Sequence, residues 1–194
     1  MDKLKLFPLG LVAYPTKVIP LHIFEDRYKT LINECLSLDK EFGMVFSMDN
    51  KLVDFGCSLS ISEVIKTYSN GEMDIVTHGE RIFKVHTETI ENDLHIGQIE
   101  FQKDITESNM KIFDALKEKY LQLLLQLGLG HEIERHMQKT RSFELIEHIQ
   151  LPHEVELLLI STRSEIERLT ILDEIFDQIL EKGIDKINNQ VYQS

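Results

Sequence analysis

Two proline-interrupted apolar runs open the chain: Leu6-Phe7-Pro8-Leu9-Gly10 and Ile19-Pro20-Leu21-His22-Ile23-Phe24. Pro8, Pro15 and Pro20 each withdraw a backbone donor and hold the preceding residue extended, so these runs predict short, kinked or edge strands. From Phe24 the period changes. Phe24, Tyr28, Leu31, Ile32 and Cys35 recur at three- and four-residue steps, which predicts an amphipathic helix ending near Leu36. Short strands return with Glu41–Ser47, punctuated by Asp49-Asn50. Between Gly56 and Thr67, Leu59, Ile61 and Ile65 alternate against Ser58, Ser60, Ser62 and Lys66, the pattern of a strand with one wet face. Ser69-Asn70-Gly71 predicts a tight hairpin turn, and Met73–His78 its returning strand. Gly79 reads as a break. Beyond it come a strand from Arg81 to Thr89, a turn at Glu91-Asn92-Asp93, and a strand from Leu94 to Phe101.

From Ser108 the pattern is helical. Ile112, Leu116, Tyr120, Leu123 and Leu124 form one stripe, broken at Gly128-Leu129-Gly130. His131–Lys139 reads as a polar helix, and Ser142 precedes an apolar group at Phe143, Leu145, Ile146 and Ile149. Pro152 is placed to open a further helix through Val155, Leu158 and Leu159. Ser164-Glu165-Ile166-Glu167 has the form of a capping box, ahead of a last stripe at Leu169, Leu172, Ile175, Phe176 and Ile179 that Gly183 stops. The polar tail Asn188–Ser194 is expected to fray. The pattern predicts an α+β chain: a small closed or nearly closed β-barrel with one embedded helix over residues 1–105, and an all-helical bundle over 106–194.

Composition narrows the function classes. The net charge of −12 opposes nucleic acid and anionic membrane as partners, since both need clustered Lys and Arg. No apolar run approaches the ~20 residues of a membrane-spanning helix. The amino terminus has no secretory pattern, so a cytoplasmic location is expected. Cys35 and Cys57 stand far apart and outside any C-x-x-C pair, which favours core thiols over a zinc or redox site. The acidic residues of the second half, including Glu144, Glu147, Glu154, Glu156, Glu165, Glu167, Asp173, Glu174 and Asp177, mostly alternate with apolar stripe positions and read as a solvated outer face.

Phe7-Pro8-Leu9-Gly10, Val12, Pro15, and Pro20-Leu21-His22-Ile23-Phe24-Glu25 with Arg27-Tyr28 closely resemble the opening of the amino-terminal substrate-binding domain of Lon-type ATP-dependent proteases. The chain departs from that pattern at Asp26, where the family usually has Pro; a carboxylate suits the first turn of a helix. Gly56-Cys57, Ile61, Gly71, Val76, Gly79, Arg81 and Phe83 match further marks of the family, and the helical half has its layout of short helix, Pro, helix, cap and long final helix. The likeness runs over roughly residues 5 to 182. It implies a pseudo-barrel similar to the PUA fold, a helical subdomain, and a role in recognising polypeptide.

A full Lon protease also carries an ATPase and a peptidase module. The G-x-x-x-x-G-K-[ST] loop that would cradle phosphate is missing, and the helical break at Gly128-Leu129-Gly130 has no following Lys. The expectation is a free-standing, non-catalytic recognition module with no catalytic residues, cofactor or metal. His131 and His136 lie five residues apart, which rotates the second ring away from the H-E-x-x-H geometry and leaves a solvated charged face as the simpler reading. His22 has no nucleophile that the sequence can pair with it. Arg81 is expected to form an ion pair that fixes a turn.

Peptide-binding candidates are Phe7, Leu9, Leu21, Phe24 and Tyr28, with Met44 and Met73 as adaptable fillers; the competing reading puts most of them in the barrel core. Expected partners are unfolded polypeptide segments or a partner protein. The alternatives are an adaptor that docks on a separate ATP-dependent protease, and a binder of RNA or a small molecule like some PUA-type barrels.

Overall fold

The computed structural model describes residues 1–49, 51–105, 110–130 and 133–183. Asn50, Ser108, His131 and the tail 188–194, each named above, lie outside the described residues. The chain divides into two compact units, Met1–Gln102 and Lys103–Ser194.

Six strands and one helix build the first unit: β1 (Asp2–Leu9), β2 (Val18–Ile23), α1 (Asp26–Leu38), β3 (Phe42–Met48), β4 (Lys51–Thr67), β5 (Met73–Glu91) and β6 (Leu94–Phe101). They form one sheet in the order β2-β5-β4-β3-β1-β6, and a further β5–β6 pairing closes β5, β4, β3, β1 and β6 into a ring. β1 and β3 run parallel, while the other pairs are antiparallel. β5 makes this closure possible by its length. Its first half, Met73–His78, carries β2, and its second half, Phe83–Glu91, carries β6.

The prolines sit where a missing donor is tolerated. Pro20 is on β2, which pairs only with β5, and Pro8 lies beyond the last β1 residue that pairs with β6. α1 buries Tyr28, Leu31, Ile32 and Cys35 among the barrel residues Phe7, Phe42, Met44, Ile75 and Ile96. Phe7 stacks on Tyr28 with ring centroids 4.1 Å apart. Each such buried side chain contributes roughly 1.5–3 kcal/mol relative to exposure, and this burial holds the helix against the barrel. α1 begins two residues after Phe24 and runs to Leu38, where Asp39 takes a left-handed conformation as its C-cap.

Gly79 corrects the sequence reading. It does not end a strand: β5 continues through it from Met73 to Glu91, with a bulge-like register shift where Gly79 pairs with Leu59 and Ile82 with Cys57. A Cβ built there would lie 2.0 Å from the Tyr14 carbonyl oxygen. The Thr16 amide donates to the Gly79 carbonyl, and the Gly79 amide donates to the Lys17 carbonyl, both at 2.9 Å. Glycine is needed for this close approach of a loop to the strand, not for a turn. The predicted turns do form. Gly71 has a φ of 80°, and Asn92 and Asp93 have φ of 50° and 61°.

The second unit contains α2 (Met110–Gln126), α3 (Ile133–Met137), a 3-10 turn at Phe143–Ile146, α4 (His153–Ser161) and α5 (Glu165–Lys182). α2 and α5 meet through a Tyr120–Phe176 ring stack and through Lys119, which pairs with Asp173 at 2.7 Å and Asp177 at 2.8 Å. Ser164 caps α5 by accepting from the Glu167 amide, and Gly183 ends it with a φ of 82°.

Three polar readings are corrected in this unit. His136 is buried, with Nδ1 2.7 Å from the Tyr120 hydroxyl, so it does not lie on a solvated face. Glu156 is also buried. Glu165 binds Arg168, whose side chain is fully enclosed. Helical periodicity marks the apolar stripe, but a polar residue at its margin goes inside when a distant partner satisfies it.

Candidate functional site

β2 presents an open outer face. Ile19 and Ile23 are buried and Leu21 is half-buried, while Val18, Pro20 and His22 are exposed, as alternation along a strand requires. Register extends this face across the sheet. His22 lies beside Asp74 and Asp74 beside Lys66; Pro20 beside Val76 and Val76 beside Glu63; Val18 beside His78 and His78 beside Ser60. Phe24 follows β2 with 59% of its surface exposed, and Val18 is 60% exposed.

An aromatic row crosses the end of this face. The Phe24 and His22 rings stack at 6.0 Å, and Tyr68 meets His22 edge-on at 5.9 Å. Lys66 Nζ sits 4.2 Å from the Tyr68 ring centroid. Hydrogen bonds hold the row in place. The Tyr68 hydroxyl donates to Asp74 Oδ2 at 2.7 Å, and His22 Nδ1 lies 2.6 Å from Asp74 Oδ1. His22 Nε2 is 3.6 Å from Glu72. The Tyr68 hydrogen bond, followed by the His22 contact, holds the Asp74 carboxyl below the usual range for an aspartate. The same bond raises the Tyr68 phenol. The outcome is a row of rings joined by hydrogen bonds, with an apolar strip, Val18, Pro20 and Val76, alongside it.

The seven sequence candidates separate by depth. Phe7, Tyr28, Met44 and Met73 are buried in the barrel core, where no partner on the surface reaches them. Leu9 and Leu21 are half-buried and pack on the same core. Phe24 alone of the seven is exposed. Val18, Pro20, His22, Tyr68 and Val76 were not among the candidates. The period-two alternation of Val18, Pro20 and His22 marks one face of a strand, but only the sheet register brings Val76 and Tyr68 to it.

His22 contacts carboxylates and rings, with no serine or cysteine nucleophile bonded to it among the described residues. Arg81, on β5, forms an ion pair at 3.0 Å with Glu41 in the connection between α1 and β3, and it lies 3.8 Å from the Phe101 ring centroid on β6. Burial raises both thiols, Cys35 to about 11 and Cys57 further, which keeps them protonated near neutral pH. Among the described residues no cluster of His, Cys, Asp and Glu is arranged to hold a metal ion, and no helix is long and apolar enough to cross a membrane.

The model of the ATP-dependent protease La (LON) substrate-binding domain matches residues 3–174. The chain belongs to the Lon substrate-binding domain family. Its fold is similar to that of a Lon N-terminal domain protein from Xanthomonas campestris, with a TM-score of 0.71, 22% identity, and coverage of 89% of this chain and 97% of that one. It is also similar to the N-terminal domain of the Mycobacterium avium complex Lon protease, with a TM-score of 0.75, 14% identity, and coverage of 91% and 98%. The match to the Lon substrate-binding domain spans both compact units. The ATPase and peptidase modules of Lon are not part of the matched region.

Proposed function

We propose that the chain is a non-catalytic recognition module that binds unfolded polypeptide segments on the outer face of β2, β5 and β4, with Phe24 as the anchor. The exposure of the Phe24 ring carries this reading. A large ring held at the surface by a stack on His22 loses little freedom on binding and offers its area to a client. Val18, Pro20 and Val76 extend the apolar strip, and Lys66, Glu63 and Glu72 supply a polar rim of both signs. Membership of a substrate-binding family supports a polypeptide as the ligand. The net charge of −12 speaks against RNA.

The test is the affinity of Phe24→Ser for a fluorescently labelled, permanently unfolded protein, read by anisotropy. Loss of an anchor weakens binding by about tenfold or more. Leu125→Ser, at an exposed apolar residue of the second unit, serves as the control and leaves affinity unchanged. Equal affinity of Phe24→Ser and the parent chain refutes the assignment.

A further inference from the structure

A cavity of about 270 Å³ opens in the first unit, walled by β1, α1, the connection from α1 to β3, and the facing ends of β5 and β6. It shares no residue with the Phe24 face. Its apolar lining is Leu31, Cys35 and Ile96 from one core cluster, with Leu4 of β1 beside them. The Cys35 thiol, pushed up to about 11 chiefly by burial, belongs to that lining as a neutral group and supplies no nucleophile.

The rim is charged, and most of its charges neutralise one another. Lys3 pairs with Glu91 at 2.8 Å, Lys5 pairs with Glu34, and Glu41 pairs with Arg81 at 3.0 Å. Lys40 is left. It lines the cavity and has no carboxylate partner among the described residues. The cavity is smaller than the roughly 300–1,000 Å³ of sites for drug-sized ligands, so its occupant is small.

We infer that this cavity binds a carboxylate carried on a short apolar body, the body on the Leu31–Ile96 lining and the carboxylate at Lys40. Two sources share this chemistry: the last residue of a polypeptide that ends in an apolar side chain, and a small free acid. A neutral apolar group would use the apolar lining and leave the Lys40 charge without a counterpart, whereas a carboxylate there forms a charge-assisted hydrogen bond.

The experiment follows backbone amide shifts of the ¹⁵N-labelled full chain. Three probes are titrated: 4-methylpentanoate, a short peptide ending in Leu with a free carboxylate, and the same peptide amidated. Saturable shifts grouped at Lys3–Lys5, Leu31–Cys35 and Lys40–Glu41 are expected with one or both carboxylates, and which of the two binds identifies the source. Lys40→Glu, a change at an exposed side chain, is expected to weaken that binding by about tenfold or more. Phe24→Ser is expected to leave it unchanged, so this site and the polypeptide-binding face stand or fall separately. Equal binding of the amidated peptide, equal binding by Lys40→Glu, or no grouped shifts at millimolar probe each overturns the inference.

Discussion

The Arg168 guanidinium meets the Asp104 carboxylate with both forks, Nη1 to Oδ1 at 3.0 Å and Nη2 to Oδ2 at 2.7 Å. Arg168 also donates to Glu165 Oε2, the Ser142 hydroxyl and the Thr162 carbonyl, and its guanidinium carbon lies 4.8 Å from the Phe143 ring centroid. One enclosed cation therefore joins α5, the loop before it, the 3-10 turn and the segment that enters the second unit.

Removing that cation leaves Glu165, itself poorly exposed, without its counter-charge. Arg168→Met is expected to destabilise the second unit by about 3–5 kcal/mol, measured by denaturant unfolding followed through the helical circular dichroism signal. Asp104→Asn is expected to cost less, because Asp104 is about one-third exposed and Glu165 still pairs with the arginine. Arg168→Lys is not expected to restore the parent stability, since an ammonium cannot reproduce the forked geometry.

Gly79→Ala puts a methyl group into the Tyr14 carbonyl, and the neighbour is backbone that cannot rotate away. The expected cost is about 1–3 kcal/mol in the same unfolding measurement. Gly10→Ala is the control. The nearest atom to its new Cβ is 3.9 Å away, and its effect is expected to be small.

Thr16 combines a φ of 77°, unusual for a β-branched residue, with a buried hydroxyl that has no hydrogen-bond partner. Thr16→Gly relieves the left-handed strain, worth roughly 1–2 kcal/mol, and removes the orphan hydroxyl; part of this gain is offset by the freedom glycine has in the unfolded chain. A net stabilisation of about 1 kcal/mol is expected, read as a rise in denaturation midpoint. A fall in midpoint would show that the loop depends on the threonine.

Asp74 is expected to titrate below the ordinary aspartate range in an NMR pH titration of its carboxyl carbon. Tyr68→Phe removes the larger of the two hydrogen bonds that hold it down, so its midpoint is expected to move up. The sign for stability follows. A carboxyl lowered by folding favours the native state above its unfolded pKa, and the benefit fades as pH falls through the folded value. The aromatic row is therefore expected to loosen only in strong acid, and the carboxyl is solvent-accessible, so the effect on overall stability is small.

Much of the fold is legible in the chain because the signals are local. The helical stripe of Tyr28, Leu31, Ile32 and Cys35, the positive-φ turns at Gly71 and Asn92-Asp93, the Ser164 cap and the Gly183 stop each follow from a few neighbouring residues and appear in the structure, whereas Phe24, read as the start of that stripe, lies outside α1 and exposed. The Lon family resemblance, carried by the opening proline-rich run, is likewise a property of the sequence alone.

Tertiary structure decided the rest. Gly79 looks like a break until Tyr14 is brought against it. Glu165 reads as part of a solvated face until the buried Arg168, itself paired with Asp104 64 positions earlier, draws it in. Of seven apolar candidates for contact, the barrel takes four into its core and leaves Phe24 outside. The reason is common to all three. Periodicity records which side of an element is apolar, but whether a given group meets water, backbone or a counter-charge depends on segments far away in the chain, and those meet only when the sheet closes and the helices pack.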